Sequence, residues 1–190
     1  MSERRLELFD ALLGLFPPGR LIDLGAGHGS FSVRATERGW KATAVDARTK
    51  RFQDDPRVDW VNLDVREAHV SGYDLILCLG LLYHLTLEDQ LHLLNRASGT
   101  PLIIDTHVAN GTNTKNAHRL SDLMTIRGYE GQLFREGDAT SPTASWGNEE
   151  SFWPTPEAFY RMLGESRYRS VLAATPWYQP DRTFFLCIPS

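Results

Sequence analysis

The stretch RLIDLGAGHG, residues 20–29, decides the fold of this 190-residue chain. Its first five residues form a short apolar run that predicts a β-strand, and glycines follow at positions 25, 27 and 29. Residues 30–38 then have the pattern of a helix, which Gly39 ends. A strand that passes through glycines into a helix is typical of parallel sheets whose strand ends bind anions or nucleotides.

Strand and helix alternate through the rest of the first half of the chain. Thr86 opens one helix, because its hydroxyl and Asp89 three residues later form a capping-box-like pair. An amphipathic segment before Pro17 predicts a first helix, and apolar runs predict further strands over residues 41–46, 58–63, 73–79 and 101–106. This alternation predicts an α/β fold with three αβα layers around a Rossmann-like, mostly parallel sheet.

The pattern changes after His107. Residues 108–153 are polar and rich in glycine, so we expect a substrate-side insertion or lid there, with a short helix over residues 115–126. Four aromatic residues of this segment can either pack it against the sheet or shield a reacting centre from water: Tyr129, Trp146, Phe152 and Trp153.

The last part of the chain completes the predicted sheet. Thr155 and Pro156 start a helix that continues through Leu163. Two strands over residues 169–175 and 182–188 follow, of which the C-terminal one is expected to be antiparallel. The prediction is a single domain that spans residues 1–190.

Acidic residues and glycine spacing distinguish this loop from a dinucleotide-binding loop. Dinucleotide loops place glycines at the first, third and sixth positions, whereas here they stand first, third and fifth. Asp23 precedes the first glycine, Asp46 ends the second strand and Asp64 follows the third. A carboxylate at position 46 can accept both hydroxyl protons of a ribose. NAD-binding proteins use an acid in the same way, so Asp46 alone does not decide the cofactor.

Asp23 and the glycine triplet resemble motif I of the class I (Rossmann-like) S-adenosylmethionine-dependent methyltransferases, whose pattern residues 20–107 follow. The resemblance implies S-adenosyl-L-methionine as cofactor, with its methionine part along the loop, its ribose on Asp46 and its adenine at Asp64 and Val65. A plain glycine turn and a helix-capping role for Asp64 are the alternatives. The implied cofactor-binding residues are Asp23, Gly25, Ala26, Gly27, Gly29, Asp46, Ala47, Asp64, Val65 and Gly80.

Two histidines follow the fourth and fifth strands, where a methyl acceptor would lie. A hydroxyl acceptor needs a proton acceptor within hydrogen-bond reach, and His84 and His107 are the candidate catalytic residues. His84 can equally brace the following helix, and His107 can line the pocket or orient a loop. With Asp105 the two histidines could also bind a metal, but the local ligand spacing of a metal site is missing, so no metal is predicted.

Composition bears on the acceptor. The formal net charge of −4 gives no overall attraction for nucleic acid, so we expect methyl transfer to an oxygen or nitrogen of a small-molecule acceptor. A basic group at positions 48, 50, 51 and 57 keeps RNA or another macromolecule open as an alternative. Tyr83-His84 with a late aromatic-Pro-Thr stretch is also similar to enzymes that modify the tRNA wobble uridine. A non-catalytic Rossmann-like cofactor-binding protein is the third interpretation.

The remaining expectations concern location. The chain has two cysteines, lacks the apolar core of a signal peptide and has no apolar run long enough to span a membrane. These features predict a cytoplasmic protein without membrane contact. No pattern in the sequence indicates the oligomeric state.

Overall fold

A seven-stranded sheet forms the centre of the structure, a computed structural model that describes residues 3–111, 117–137 and 145–190. A second sheet of three strands lies beside it. In chain order the strands are β1 (Arg20–Leu24), β2 (Lys41–Asp46), β3 (Val58–Asn62), β4 (Leu75–Leu79), β5 (Leu102–Thr106), β6 (Met124–Ile126), β7 (Tyr129–Arg135), β8 (Glu150–Pro154), β9 (Tyr168–Ala174) and β10 (Thr183–Pro189).

The large sheet has the order β3-β2-β1-β4-β5-β10-β9. Strands β1 to β5 are parallel, whereas β10 pairs antiparallel with both β5 and β9. The predicted Rossmann-like sheet, mostly parallel with an antiparallel C-terminal strand, is therefore confirmed. The order reverses between β1 and β4, which is the point where open α/β sheets form their ligand crevice.

Among the residues that the structure describes, four α-helices cover the two faces of this sheet: α1 (Glu3–Leu13), α2 (Ser30–Thr36), α3 (Leu87–Ala97) and α4 (Pro156–Glu165). Phe9 of α1 and Phe31 of α2 pack with Leu77 on one face. Leu94 of α3 packs with Cys78 on the other face, in the core cluster that also contains the apolar side of α4. Successive residues of β4 thus point to opposite faces, and all are buried, which explains the continuous apolar run that predicts this strand.

The helix starts follow from local capping. Thr86 Oγ1 accepts a hydrogen bond of 3.2 Å from the Asp89 amide, and Thr155 Oγ1 accepts one of 3.2 Å from the Ala158 amide. Each bond satisfies one amide that the first turn leaves without a helical partner. None of the helices in the three described ranges is long and apolar enough to cross a membrane.

The segment from residue 108 to residue 153 contains the three-stranded sheet β6-β7-β8. The predicted helix over residues 115–126 is wrong where the structure describes it, because residues 117–119 form one 3₁₀ turn and residues 124–126 form β6. Arg127 and Gly128 both have positive φ, 50° and 86°, and join β6 to β7 in a tight hairpin. Residues 115–116 lie outside the described residues.

Candidate active site

A cavity of about 390 Å³ lies at the carboxyl ends of the parallel strands. The residues that line it come from four successive strand ends and from the segment after β5. Eight of the predicted site residues line this cavity together: Gly25, Asp46, Ala47, Asp64, Val65, Gly80, His84 and His107. Its volume falls in the range of about 300–1,000 Å³ that small-molecule sites occupy.

The glycine loop lies against the side of this cavity and needs its glycines for two reasons. Gly25, Gly27 and Gly29 have φ of 68°, 56° and 62°, in the left-handed region that side chains disfavour. A Cβ at Gly25 would lie 2.8 Å from Leu81 Cδ1, and one at Gly29 would overlap the Trp60 ring. At Gly27 the nearest atom would be Arg51 Nη1 at 3.7 Å, an ordinary van der Waals distance, so a Cβ would fit there without a clash. Packing against the protein therefore explains two of the three glycines.

Asp46 connects the loop to the cavity. Its Oδ2 accepts a hydrogen bond of 2.9 Å from the Gly27 amide, and its Oδ1 accepts one of 2.8 Å from the Arg48 amide. The carboxylate is nearly buried and lines the cavity. Each oxygen keeps a free lone pair, so the side chain can still accept hydrogen bonds from a ligand.

Asp64 accepts hydrogen bonds from the turn that follows it. It accepts a hydrogen bond of 3.0 Å from the Arg66 amide and one of 2.9 Å from Arg66 Nη1. Residues 65–67 form a turn and not a helix, so the helix-capping alternative is wrong: Asp64 closes this turn and also lines the cavity. Val65 beside it is buried and also lines the cavity.

Asp23 lies beneath the loop rather than on the cavity wall. It is almost completely buried, and its Oδ2 accepts a hydrogen bond of 2.7 Å from the Ser32 hydroxyl of α2. Burial raises the pKa of Asp23 to about 7, against the opposing effect of the Ser32 hydrogen bond. Ala26, Gly27 and Gly29 likewise do not line the cavity. Direct cofactor contact by these four residues stays a prediction.

His84 is paired with the carboxylate of Glu136, a contact that no sequence pattern indicated. Its Nδ1 lies 2.9 Å from Glu136 Oε1, and the Glu136 side chain is 1% exposed. Glu136 also accepts hydrogen bonds from the Ser151 hydroxyl, at 2.8 Å, and from the Ser145 amide, at 3.0 Å. An ionised carboxylate can only accept from His84, so in the neutral imidazole the proton lies on Nδ1 and Nε2 is the acceptor.

His107 is held in a different environment. Its Nδ1 lies 2.5 Å from the Asp181 carbonyl oxygen, and its ring stacks on Trp153 with centroids 4.6 Å apart. Burial, with a smaller contribution from the positive charge of Arg182, lowers the pKa of His107 to about 4. The imidazole is therefore neutral near pH 7, with Nδ1 as donor and Nε2 as acceptor.

The lowered pKa of His107 predicts a loss of stability in acid. The unfolded chain takes up a proton near pH 6.5, whereas the folded chain resists it until about pH 4, so stability falls as the pH drops through this window. Between pH 7.5 and 4.5 we expect the wild type to lose about 2 kcal/mol more than His107→Gln, measured by urea unfolding. Equal losses in the two proteins would contradict this interpretation.

Three largely buried charged side chains, Asp105, Arg5 and Arg182, pack together beside Gly80. Asp105 at the end of β5 accepts hydrogen bonds from Arg5 Nε, at 2.5 Å, and from Arg182 Nε, at 2.9 Å. A Cβ at Gly80 would lie 3.1 Å from Arg182 Nη2 and 3.2 Å from Arg5 Nη2, and Gly80 has φ of 96°. Because both carboxylate oxygens are engaged, Asp105 is unsuited to the metal site considered with His84 and His107. Among the residues placed, no group of three or more His, Cys, Asp or Glu could hold a metal ion.

The segment after β5 supplies the opposite wall of the cavity. Two of its four predicted aromatic residues, Trp146 and Trp153, line the cavity. The Tyr129 hydroxyl instead donates to the Glu165 carboxylate, and Phe152 packs in the core. The structure thus places part of residues 108–153 on the cavity, while movement of this segment as a lid stays a prediction.

The basic group of the sequence separates into two environments. Arg48 and Arg51 line the cavity, and the Arg48 guanidinium lies 5.2 Å from the Trp146 ring centroid. Arg57 forms a salt bridge of 2.6 Å with Asp55, and Lys50 is exposed. The patch therefore does not form one continuous basic surface.

Comparison with known families decides the class of this protein. The sequence matches the family model described as a methyltransferase domain over residues 1–100, more than half of the chain. This chain belongs to that methyltransferase family. The prediction of a methyltransferase is thereby confirmed. No curated protein matches the sequence significantly.

Solved structures resemble the methyltransferase at low sequence identity. The N-terminal domain of EvdMO1, determined with S-adenosylhomocysteine and D-fucose, has a TM-score of 0.77 at 17% identity, with 99% of this chain and 83% of that chain covered. The 1,6-didemethyltoxoflavin-N1-methyltransferase of Burkholderia thailandensis has a TM-score of 0.64 at 17% identity, with coverages of 99% and 77%.

A third neighbour is the glycopeptide N-methyltransferase MtfA complexed with S-adenosylmethionine. Its TM-score is 0.64 at 15% identity, and the alignment covers 96% of this chain and 93% of that chain. At these identities the likeness establishes the fold. The predicted cofactor agrees with these neighbours, which were determined with S-adenosylmethionine or S-adenosylhomocysteine. The similarity to tRNA wobble-uridine enzymes stays a prediction.

Proposed function

We propose that this methyltransferase transfers a methyl group from S-adenosylmethionine to an oxygen or nitrogen atom of a small-molecule acceptor. The observation that carries the proposal is the hydrogen bond of 2.9 Å between His84 Nδ1 and the buried Glu136 carboxylate, at the wall of the cavity. A histidine that is oriented by a buried carboxylate is the arrangement that general-base chemistry requires.

The residues on the strand-end side of the cavity fit the proposed cofactor. Asp46 keeps free lone pairs for ribose hydroxyls, and Asp64 and Val65 line the part of the cavity that the proposal gives to the adenine ring. Gly25 and Gly80 also line the cavity, on the side that the proposal gives to the amino-acid part of the cofactor. When bound, S-adenosylmethionine supplies a methyl group that its positively charged sulfur already activates.

His84 acts on the proton of the acceptor. Glu136 accepts the Nδ1 proton, so the Nε2 lone pair is free to take the proton that a hydroxyl or amine releases as it is methylated. The resulting imidazolium is stabilised by the Glu136 carboxylate at 2.9 Å. Glu136 is thus a positioning residue, whereas His84 is the catalytic base.

His107 has a positioning role in this proposal. Its lowered pKa makes it a weak base near pH 7, because burial disfavours its charged form. Its ring lines the cavity and is held in place by the Asp181 carbonyl and by Trp153, so it can position the acceptor by contact. The two histidines line the same cavity, with the Tyr83 ring in contact with both.

Calorimetric titration with S-adenosylhomocysteine and NAD, side by side on the purified protein, tests the cofactor. We expect S-adenosylhomocysteine to bind at one site and NAD to give no measurable heat, because the glycines are spaced differently from a dinucleotide loop. Binding of NAD alone would overturn the proposal.

The acceptor is tested by methyl transfer from labelled S-adenosylmethionine to small molecules and to RNA. Transfer to RNA that falls steeply between 50 and 200 mM salt would favour a nucleic-acid acceptor instead. Cofactor binding without transfer to any acceptor would favour the non-catalytic alternative.

A further inference from the structure

An aromatic stack forms the acceptor side of the cavity. The His107 and Trp153 rings have centroids 4.6 Å apart at an interplanar angle of 9°, and the Trp153 and Phe134 rings are 4.7 Å apart at 11°. All three residues line the cavity. Trp153 is fixed further by a hydrogen bond of 2.9 Å from its Nε1 to the Tyr83 carbonyl. The stack is therefore a rigid wall.

The stack presents ring edges to a ligand. Both faces of Trp153 are covered, one by His107 and the other by Phe134, so only its edge can contact a molecule in the cavity. The edge of an aromatic ring carries positive electrostatic potential and prefers the electron-rich face of another ring. This wall thus favours an electron-rich aromatic acceptor.

Arg119 extends the stack at the Phe134 end. Its Cζ lies 4.5 Å from the Phe134 ring centroid, and its Nε donates a hydrogen bond of 2.7 Å to the Arg135 carbonyl. These contacts fix the plane of the guanidinium and leave its Nη atoms as donors. Arg119 also lines the cavity.

No carboxylate in the described ranges lies within ion-pair distance of Arg119. Arg66 on the same cavity differs, because it is paired at 2.9 Å with both Asp64 and Asp89. The residues known to line the cavity include four arginines and two aspartates, although the whole chain has a net charge of −4. The cavity therefore attracts anions.

We propose that the acceptor is an aromatic molecule that carries a carboxylate, with its ring against the edges of the His107–Trp153–Phe134 stack and its carboxylate on Arg119. A guanidinium whose Nε is already engaged can present its Nη donors to the two oxygens of a carboxylate. This proposal deepens the proposed function and rests on it, because it names the acceptor of the same site.

The test uses matched pairs of acids and neutral esters. The probes are 4-hydroxybenzoate, 3,4-dihydroxybenzoate, salicylate and anthranilate, each with its methyl ester, titrated into protein saturated with S-adenosylhomocysteine. We expect at least one acid to bind more than tenfold tighter than its ester. Arg119→Gln should remove that preference: the affinity for the acid should fall at least tenfold, and the affinity for the ester should fall less than twofold. Arg169→Gln, an exposed arginine on the edge strand β9, should change neither.

Three results would overturn the proposal: an ester that binds as tightly as its acid, a preference that survives in Arg119→Gln, or no acid that binds at millimolar concentration. Tighter binding of phenyl phosphate than of every acid would overturn the carboxylate assignment. S-adenosylhomocysteine binding is measured first and separately. Its failure would reject the proposed function, whereas normal S-adenosylhomocysteine binding with any of these results rejects only the acceptor class.

Discussion

Replacing His84 with alanine is expected to lower kcat roughly 10²–10⁴-fold, the range that general acid–base catalysis contributes. The reason is that the variant lacks the base that takes the proton from the hydroxyl or amine of the methylated substrate. The residues proposed to bind the cofactor are unchanged. The measurement is turnover of any acceptor that the enzyme methylates, together with calorimetric affinity for S-adenosylhomocysteine. That affinity should stay within about twofold of the wild type.

Two variants control the His84 experiment. His92→Ala removes an exposed histidine of α3 and should leave turnover unchanged. Glu136→Gln keeps the shape of the side chain but removes the negative charge that stabilises the imidazolium, so the pH–rate profile should shift towards lower pH as well as lose height. A loss below tenfold in His84→Ala would leave His84 with only a structural role.

Replacing Asp46 with alanine is expected to weaken cofactor binding roughly 10²–10⁴-fold, because two charge-assisted hydrogen bonds of about 1.5–3 kcal/mol each are lost. The same carboxylate accepts the Gly27 and Arg48 amides, so the glycine loop also loses an anchor. Calorimetric titration with S-adenosylhomocysteine measures the effect, and thermal unfolding of the free variant reports the structural part.

Asp59→Ala is the matched control for Asp46. Asp59 is an exposed acid on the neighbouring strand β3, and its removal should not change cofactor affinity. Asp46→Asn should fall between the alanine variant and the wild type, because the amide oxygen still accepts hydrogen bonds but carries no charge. Wild-type affinity in Asp46→Ala would reject the assigned ribose contact and with it the orientation of the cofactor in the cavity.

The sheet was predictable because its signals are local. Strands β4 and β5 are buried along their whole length and β1 is buried after its first residue, so they appear in the sequence as nearly continuous hydrophobic segments. The starts of α3 and α4 were also predictable, since Thr86 and Thr155 cap helices within three residues of themselves. The sequence suggested a helix before residue 126, whereas hairpin pairing with β7 makes residues 124–126 a strand.

The pairing of His84 with Glu136 was only half predictable. His84 follows β4 directly, so its place at a strand end could be inferred, but Glu136 lies 52 residues later in a polar segment. No local spacing joins them, and the strand β7 brings Glu136 to the site. Arg5 and Arg182 reach Asp105 across separations of 100 and 77 residues, which no sequence pattern indicates.

By itself the sequence determined the parallel sheet, the glycine loop and the acids at the strand ends, because each depends on residues that are close along the chain. Only the tertiary structure decided which side chains share the cavity: it placed Asp23 beneath the loop, paired His84 with Glu136 and set Arg119 on the aromatic stack. The physical reason is that burial and pairing depend on distances in space, and these are fixed when the segment after β5 packs against the strand ends.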